Sequence, residues 1–196
     1  MEINRKDRIF HELYKVVLLG DAAVGKTTIR KKFAEGVTSK RYIMTIGVEV
    51  STKDVVLTYN GKSRNVTLVI WDLGGQLYFT RMRSSFYQGT SGAILMYDVS
   101  NRKSFENLTL WIEEIKSFIS NVPLVLVGNK IDLRSSKTSQ FISKDEGLKK
   151  AKEIDKLHKG VVNFIETSAL YGTNVEEAFL LLTREILDFE SKKRKL

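Results

Sequence analysis

At 196 residues the chain is long enough to bury one substantial core and too short for two. Apolar residues make up 42% and charged ones 28%, an ordinary globular balance, and a single proline leaves no proline-rich linker to divide it. A net charge of +9 favours anionic partners, while the absence of cysteine excludes a disulfide framework, a thiolate metal site and a cysteine nucleophile.

In chain order, Met1–Glu12 reads as a charged N-terminal extension (residues 1–12) with a weak apolar spacing of Ile3, Phe10 and Leu13 that hints at a docked helix. It has no signal-peptide core. Tyr14–Leu19 is a short β-branched-rich run ended by Gly20, and an amphipathic helical stretch follows from about Gly25 to Phe33. Between them, Gly20-Asp21-Ala22-Ala23-Val24-Gly25-Lys26-Thr27 fits G-x-x-x-x-G-K-[ST] in the strand–loop–helix context that the pattern demands. Its glycines let backbone N–H groups approach phosphate oxygens, and the following helix adds its positive dipole end. Lys26 is expected to reach the β- and γ-phosphates, and the Thr27 hydroxyl to ligate Mg²⁺. The pattern arises by chance about once in a hundred chains of this size, so its correct context makes it specific.

Val48–Tyr59 and Arg64–Trp71 flank Asn60-Gly61, the strongest short hairpin signal that a sequence offers. The second of these strands ends in Trp71-Asp72-Leu73-Gly74-Gly75-Gln76. A carboxylate closing a buried strand beside the phosphate loop suits a Mg²⁺-holding role for Asp72, directly or through water, while an Asp that caps the next helix is the plain alternative. Ala93–Tyr97, Leu124–Val127 and Val162–Ile165 are further strands of the kind buried on both faces, and Arg102–Ser120, Lys144–Lys159 and Asn174–Glu190 are helical stretches. Arg134–Asp145 is a polar, serine-rich surface loop.

After Val125–Gly128 comes Asn129-Lys130-Ile131-Asp132. A carboxylate at Asp132 can accept two hydrogen bonds, from the ring N–H and the exocyclic amine of guanine, a donor pair that adenine lacks. Lys130 would lay its aliphatic stem over the base, and Asn129 would tie neighbouring loops together. The last strand ends in Glu166-Thr167-Ser168-Ala169-Leu170, where the Ala169 N–H is a candidate donor to the guanine O6. The order β-α-β-β-α-β-α-β-α-β-α implies an α/β fold: a six-stranded, mostly parallel sheet with one antiparallel edge strand and helices on both faces. Ligand belongs at the carboxyl ends of its strands.

These four loops, in this order, resemble the Ras superfamily of small GTPases over Tyr14 to Glu190. Thr45-Ile46-Gly47-Val48-Glu49, Ser84-Ser85-Phe86-Tyr87-Gln88-Gly89 and Tyr97-Asp98-Val99-Ser100-Asn101 are similar to Rab hallmarks, whereas Trp-Asp-x-Gly-Gly-Gln looks Arf-like. The resemblance implies a P-loop G domain over residues 13–190 that binds GTP or GDP with Mg²⁺ and hydrolyses GTP slowly. It assigns nucleotide contact to Asp21, Ala22, Ala23, Val24, Gly25, Lys26, Thr27, Thr28, Tyr42, Thr45, Gly75, Asn129, Lys130, Asp132, Ser168, Ala169 and Leu170. Mg²⁺ falls to Thr27, Thr45 and Asp72. Catalysis falls to Lys26, Thr45, the Gly75 N–H on the γ-phosphate, and Gln76 orienting the attacking water. Two loops that contact the γ-phosphate are then released on hydrolysis, and Ile46, Trp71, Leu77 and Phe86 form a partner-reading surface.

Some positions depart from the family pattern. Ala22 stands where Ras proteins carry a glycine that admits an arginine finger, Thr38 where an aromatic commonly covers the guanine, and Val50 where Rab proteins usually have phenylalanine. An alternative is a GTP-binding scaffold with little hydrolysis; Gln76, Gly75 and Thr45 argue against it and Ala22 mildly for it. Effector, GAP and exchange-factor proteins are the implied partners, with no nucleic acid, for want of a basic–aromatic motif. A monomer is expected. Prenylation and palmitoylation need a cysteine, and Glu2 stands where myristoylation needs glycine, so no lipid anchor is expected. The basic tail, residues 191–196, offers at most a weak electrostatic contact with anionic lipid. The expected location is cytoplasmic, at most peripheral to a membrane.

Overall fold

The computed structural model of the chain describes residues 11–36, 47–75, 80–119, 121–135, 140–158 and 160–194. It contains a six-stranded sheet: β1 (His11–Leu19), β2 (Val48–Tyr59), β3 (Lys62–Leu73), β4 (Gly92–Asp98), β5 (Leu124–Asn129) and β6 (Val162–Thr167). The spatial order is β2-β3-β1-β4-β5-β6. Only β2 runs antiparallel, paired with β3 from Val48↔Leu73 to Tyr59↔Lys62; every other pairing is parallel. The hairpin turn uses positive φ at both Asn60 (49°) and Gly61 (72°), the pairing of signs that matches the right-handed twist of the flanking strands.

Among the described residues six α-helices cover the sheet: α1 (Lys26–Glu35), α2 (Thr80–Tyr87), α3 (Arg102–Glu106), α4 (Leu108–Lys116), α5 (Lys144–His158) and α6 (Val175–Lys193). Period-2 alternation along β1 assigns its side chains to two cores. Val16 and Leu18 pack with Ile29 and Phe33 of α1 and Phe179, Leu182 and Ile186 of α6. Val17 and Leu19 pack with Tyr87, Trp111, Ile112 and Ile154 on the opposite face. Because β4 and β5 are covered on both faces, all of their residues are buried.

The expected run Arg102–Ser120 is two helices, divided at Asn107. α2 occupies the place between β3 and β4 where the element order put a helix, although its residues follow no clear apolar period that would have fixed its bounds. The last helix continues past Glu190 to Lys193, so Ser191–Lys193 belong to it rather than to a separate tail, and β1 begins at His11, inside the expected extension. No helix among the described residues is long and apolar enough to cross a membrane.

Candidate functional site

The loops after β1, β3, β5 and β6 meet at one end of the sheet. The first of them starts at Gly20 with φ 131°. A Cβ there would overlap the carbonyl of Met96 in neighbouring β4, so the chain can leave the strand only through glycine. Val24 is buried and anchors the loop, while Ala22 and Ala23 are exposed at its tip. Gly25 then caps α1 in the left-handed region, where a Cβ would overlap the Asn129 amide. The first turn of α1 carries no acidic side chain, so its N–H groups and dipole face outward without a built-in counter-charge.

Lys26 is 6% exposed and its ammonium donates to the carbonyls of Gly20 (2.7 Å) and Asp21 (2.8 Å). Burial pulls its pKa down to about 8, against the opposing pull of the Asp72 and Asp21 carboxylates. Thr27 donates its hydroxyl to Oδ2 of Asp72, the carboxylate that closes β3. Asp72 is fully buried, and its Oδ1 has no hydrogen-bond partner among the described residues. Desolvation raises its pKa, only partly offset by the Thr27 hydroxyl and the Lys26 and Arg30 charges. A buried carboxylate oxygen left bare beside a hydroxyl is incomplete as it stands; a hard cation with oxygen ligands fits it.

Gly75 lies directly against the loop. A Cβ on it would come within 2.6 Å of the Ala22 nitrogen. Its neighbour Gly74 is held from both sides, its N–H donating to the Gly47 carbonyl (3.1 Å) and its carbonyl accepting from Arg83 (3.0 Å). Arg83, 2% exposed, also forms a two-pronged pair with Glu114 and sits 4.5 Å over the Trp111 ring. Tyr87 donates to the same Glu114 (2.6 Å). From the other side, Trp111 and Asn107 donate to the Asp21 carboxylate at 2.8 and 2.7 Å. Asp21 thus spends its side chain on α4 and its flank, so only its backbone remains to face a ligand.

The β5 and β6 loops join the first through Asn129, which is 1% exposed. Its Nδ2 donates to the Val24 carbonyl (2.8 Å), and its Oδ1 accepts from the Thr167 hydroxyl and the Ala169 N–H, both at 3.0 Å. The Ala169 N–H, expected on a base oxygen, is therefore spent within the protein in this structure. Lys130 has φ 69° and its ammonium pairs with Asp98 at 2.6 Å. Ser168 donates its hydroxyl to the Asp132 carboxylate, in the 3-10 turn Ile131–Ser135. Leu170 and Thr28 are partly exposed near these groups in sequence.

The structure thus brings Gly20–Thr27, Asp72, Gly75, Asn129, Lys130, Asp132, Ser168 and Ala169 to one end of the sheet. Thr38, Tyr42, Thr45, Ile46, Gln76 and Leu77 lie outside the described residues. Arg30, Arg83, Asn107 and Glu114 support the site but carry no local motif, and most of their partners lie far away in sequence; Asp98, within Tyr97–Asn101, reaches Lys130.

Comparison with known proteins agrees with this geometry. The model of the Ras family matches residues 15–188. Ras-related protein Rab-1A of Dictyostelium discoideum is 40% identical over 179 residues, 90% of this chain and 82% of that protein. GTP-binding protein YPT1 of Saccharomyces cerevisiae (strain ATCC 204508 / S288c) is 38% identical over 182 residues, 92% and 82% of the two chains. Ras-related protein Rab-13 of Canis lupus familiaris is 36% identical over 181 residues, 92% and 83%.

Proposed function

Since this chain belongs to the Ras family of small GTPases and is Rab-like within it, we propose that it is a guanine-nucleotide switch that holds GTP or GDP with Mg²⁺ and slowly hydrolyses GTP. The observation that carries the reading is the bare Oδ1 of fully buried Asp72 beside the Thr27 hydroxyl, at the foot of a loop that leads into the N-terminus of α1, whose first turn has no acidic side chain.

In this reading the backbone of Asp21–Thr28 wraps the α- and β-phosphates, and Lys26 exchanges its two carbonyl partners for the β- and γ-phosphates. Thr27, Thr45 and Asp72 hold Mg²⁺, which supplies charge neutralisation on the phosphate oxygens when bound. Asp132 reads the guanine edge, its orientation set by Ser168, while Lys130, set by Asp98, lies along the base with Leu170 nearby. Tyr42 adds a nucleotide contact. Gly75 stands close enough to the loop for its N–H to meet a γ-phosphate. Gln76 orients the attacking water, which displaces GDP from phosphorus and yields inorganic phosphate.

Loss of the γ-phosphate contacts at Thr45 and Gly75 then releases the two loops, and partners read that difference. Trp71, half-buried, lies with its ring 5.7 Å from Phe86 and faces Val50 across the strand pair; together with Ile46 and Leu77 these make a partner-reading surface for effectors, GAPs and exchange factors. In this reading the chain acts as a monomer in the cytoplasm, at most peripheral to a membrane.

Two measurements test this. Chromatography of the nucleotide released on denaturing the freshly purified protein is expected to give GDP. Phosphate release from added GTP with Mg²⁺ should then fall at least tenfold in Gln76→Leu, on the scale of losing a positioned catalytic group. Adenine nucleotide in the first assay, with guanine nucleotides unable to compete, would overturn the reading.

A further inference from the structure

The α1 segment Ile29-Arg30-Lys31-Lys32 has three consecutive cations, and only the first is turned inward. Arg30 is 4% exposed. Its guanidinium meets the Glu49 carboxylate and the Ser51 hydroxyl on β2 and the Glu35 carboxylate at 3.2 Å. Its Nε has no hydrogen-bond partner among the described residues and lies 3.9 Å from Asp72 Oδ2. Glu49 is the cross-strand partner of Asp72 in the β2–β3 register, so one guanidinium spans carboxylates on two adjacent strands.

An arginine does not give up its charge on burial, unlike a lysine. Asp72 therefore keeps a fixed positive neighbour whether or not a metal is bound. A divalent cation on Asp72 and Thr27 is repelled by that neighbour, and the carboxylate that it leaves behind is partly compensated by the same neighbour. Both effects act in one direction, toward the metal-free state.

We propose that Arg30 is a resident counter-cation of the magnesium site: it weakens Mg²⁺ binding at Asp72 and Thr27 and stabilises the vacated carboxylate, so nucleotide leaves at a higher free Mg²⁺ concentration than it would without this charge. The inference rests on the GTPase reading above and concerns retention of nucleotide, not hydrolysis. If Arg30 merely ties α1 to β2, its charge has no bearing on the metal.

The test loads the full chain with a fluorescent GDP analogue and follows its release at buffered free Mg²⁺. It compares wild type with Arg30→Met, Arg30→Gln and Arg30→Lys, after circular dichroism has confirmed that each is folded. Two variants remove the charge, so the loss of either one to misfolding leaves the comparison intact. The Mg²⁺ concentration for half-maximal retention is expected to fall roughly tenfold or more in Met and Gln, the scale of one nearby charge at the effective dielectric of a protein surface. Lys should stay within about twofold of wild type at pH 7, where the Glu35, Glu49 and Asp72 carboxylates around it oppose the effect of burial and keep its ammonium charged. Coincident midpoints in all four proteins, or a Lys midpoint displaced as far as that of Met, would overturn the proposal while leaving the GTPase reading intact. A wild-type chain that retains no guanine nucleotide at any Mg²⁺ concentration would remove both.

Discussion

Asn129 is the residue on which the geometry of the site most depends, and replacing it by alanine offers a quantitative check. The side chain makes three hydrogen bonds, to the Val24 carbonyl, the Thr167 hydroxyl and the Ala169 N–H. A typical bond is worth about 1 kcal/mol net, and a buried partner left bare costs about 1–3 kcal/mol. Thr167 and Ala169 are 0% and 3% exposed and cannot turn to water. Asn129→Ala is therefore expected to destabilise the nucleotide-free protein by about 3–5 kcal/mol, a large share of the total stability of such a domain.

Asn129→Asp separates the contributions. It retains an acceptor for Thr167 and Ala169 but turns an oxygen toward the Val24 carbonyl in place of the donor. A loss of about 2 kcal/mol is expected, from one missing bond and the facing acceptors. The assay is urea unfolding monitored by tryptophan fluorescence and circular dichroism, with coincident transitions required before free energies are compared. If Asn129→Ala fell within about 1 kcal/mol of wild type, the bonds would not be limiting and the claim that this amide holds three loops together would be wrong.

Other outcomes follow from the same contacts. Arg83→Met keeps the aliphatic stem but strips the charge from Glu114 and the donor from the Gly74 carbonyl, so a loss of about 3 kcal/mol is expected, as for other broken buried pairs. The double variant Arg83→Met, Glu114→Gln should recover part of this in the same urea assay; simple additivity would show that the two residues are not coupled. Glu146 is held down to about 2, first by the Arg102 guanidinium and then by the Ser143 backbone N–H of its capping box. Its pKa is lower in the folded state, so this contribution is present above the ordinary glutamate value of 4.5 and is lost as pH falls toward about 2. Because the Glu146 side chain is exposed, the unfolding free energy of Glu146→Gln should lie only slightly below wild type at pH 7, by under about 1 kcal/mol, and the gap should close by pH 2.

Where a segment's conformation is dictated by its own residues, the structure was readable in advance. The Asn60-Gly61 turn requires positive φ at both positions, and those two residues tolerate it, so the β2–β3 hairpin and the one antiparallel strand were legible. Gly20 and Gly25 mark the places where backbone must approach Met96 and Asn129, which is why the loop pattern implies close packing as well as phosphate chemistry. Asn107, by contrast, sits in a helix-like run and gives no local sign of a break. The break becomes intelligible only once its amide is seen reaching Asp21, 86 residues earlier in the chain. The bounds of α2 were unreadable for a related reason: Arg83 looks like a surface residue in Met82-Arg83-Ser84, yet it is held inside by Glu114 on α4.

Arg30 makes the same argument at the site itself. Its charge, read within Ile29-Arg30-Lys31-Lys32, predicts a solvated position, and helical spacing alone cannot separate it from its exposed-looking neighbours. What turns it inward is a pair of carboxylates on β2 and β3 that become adjacent only when Glu49 registers against Asp72. Motifs therefore show where a ligand sits, because they encode backbone shape and first contacts locally. How tightly the metal is held depends on charges brought in by sheet register, and those had to be seen in three dimensions.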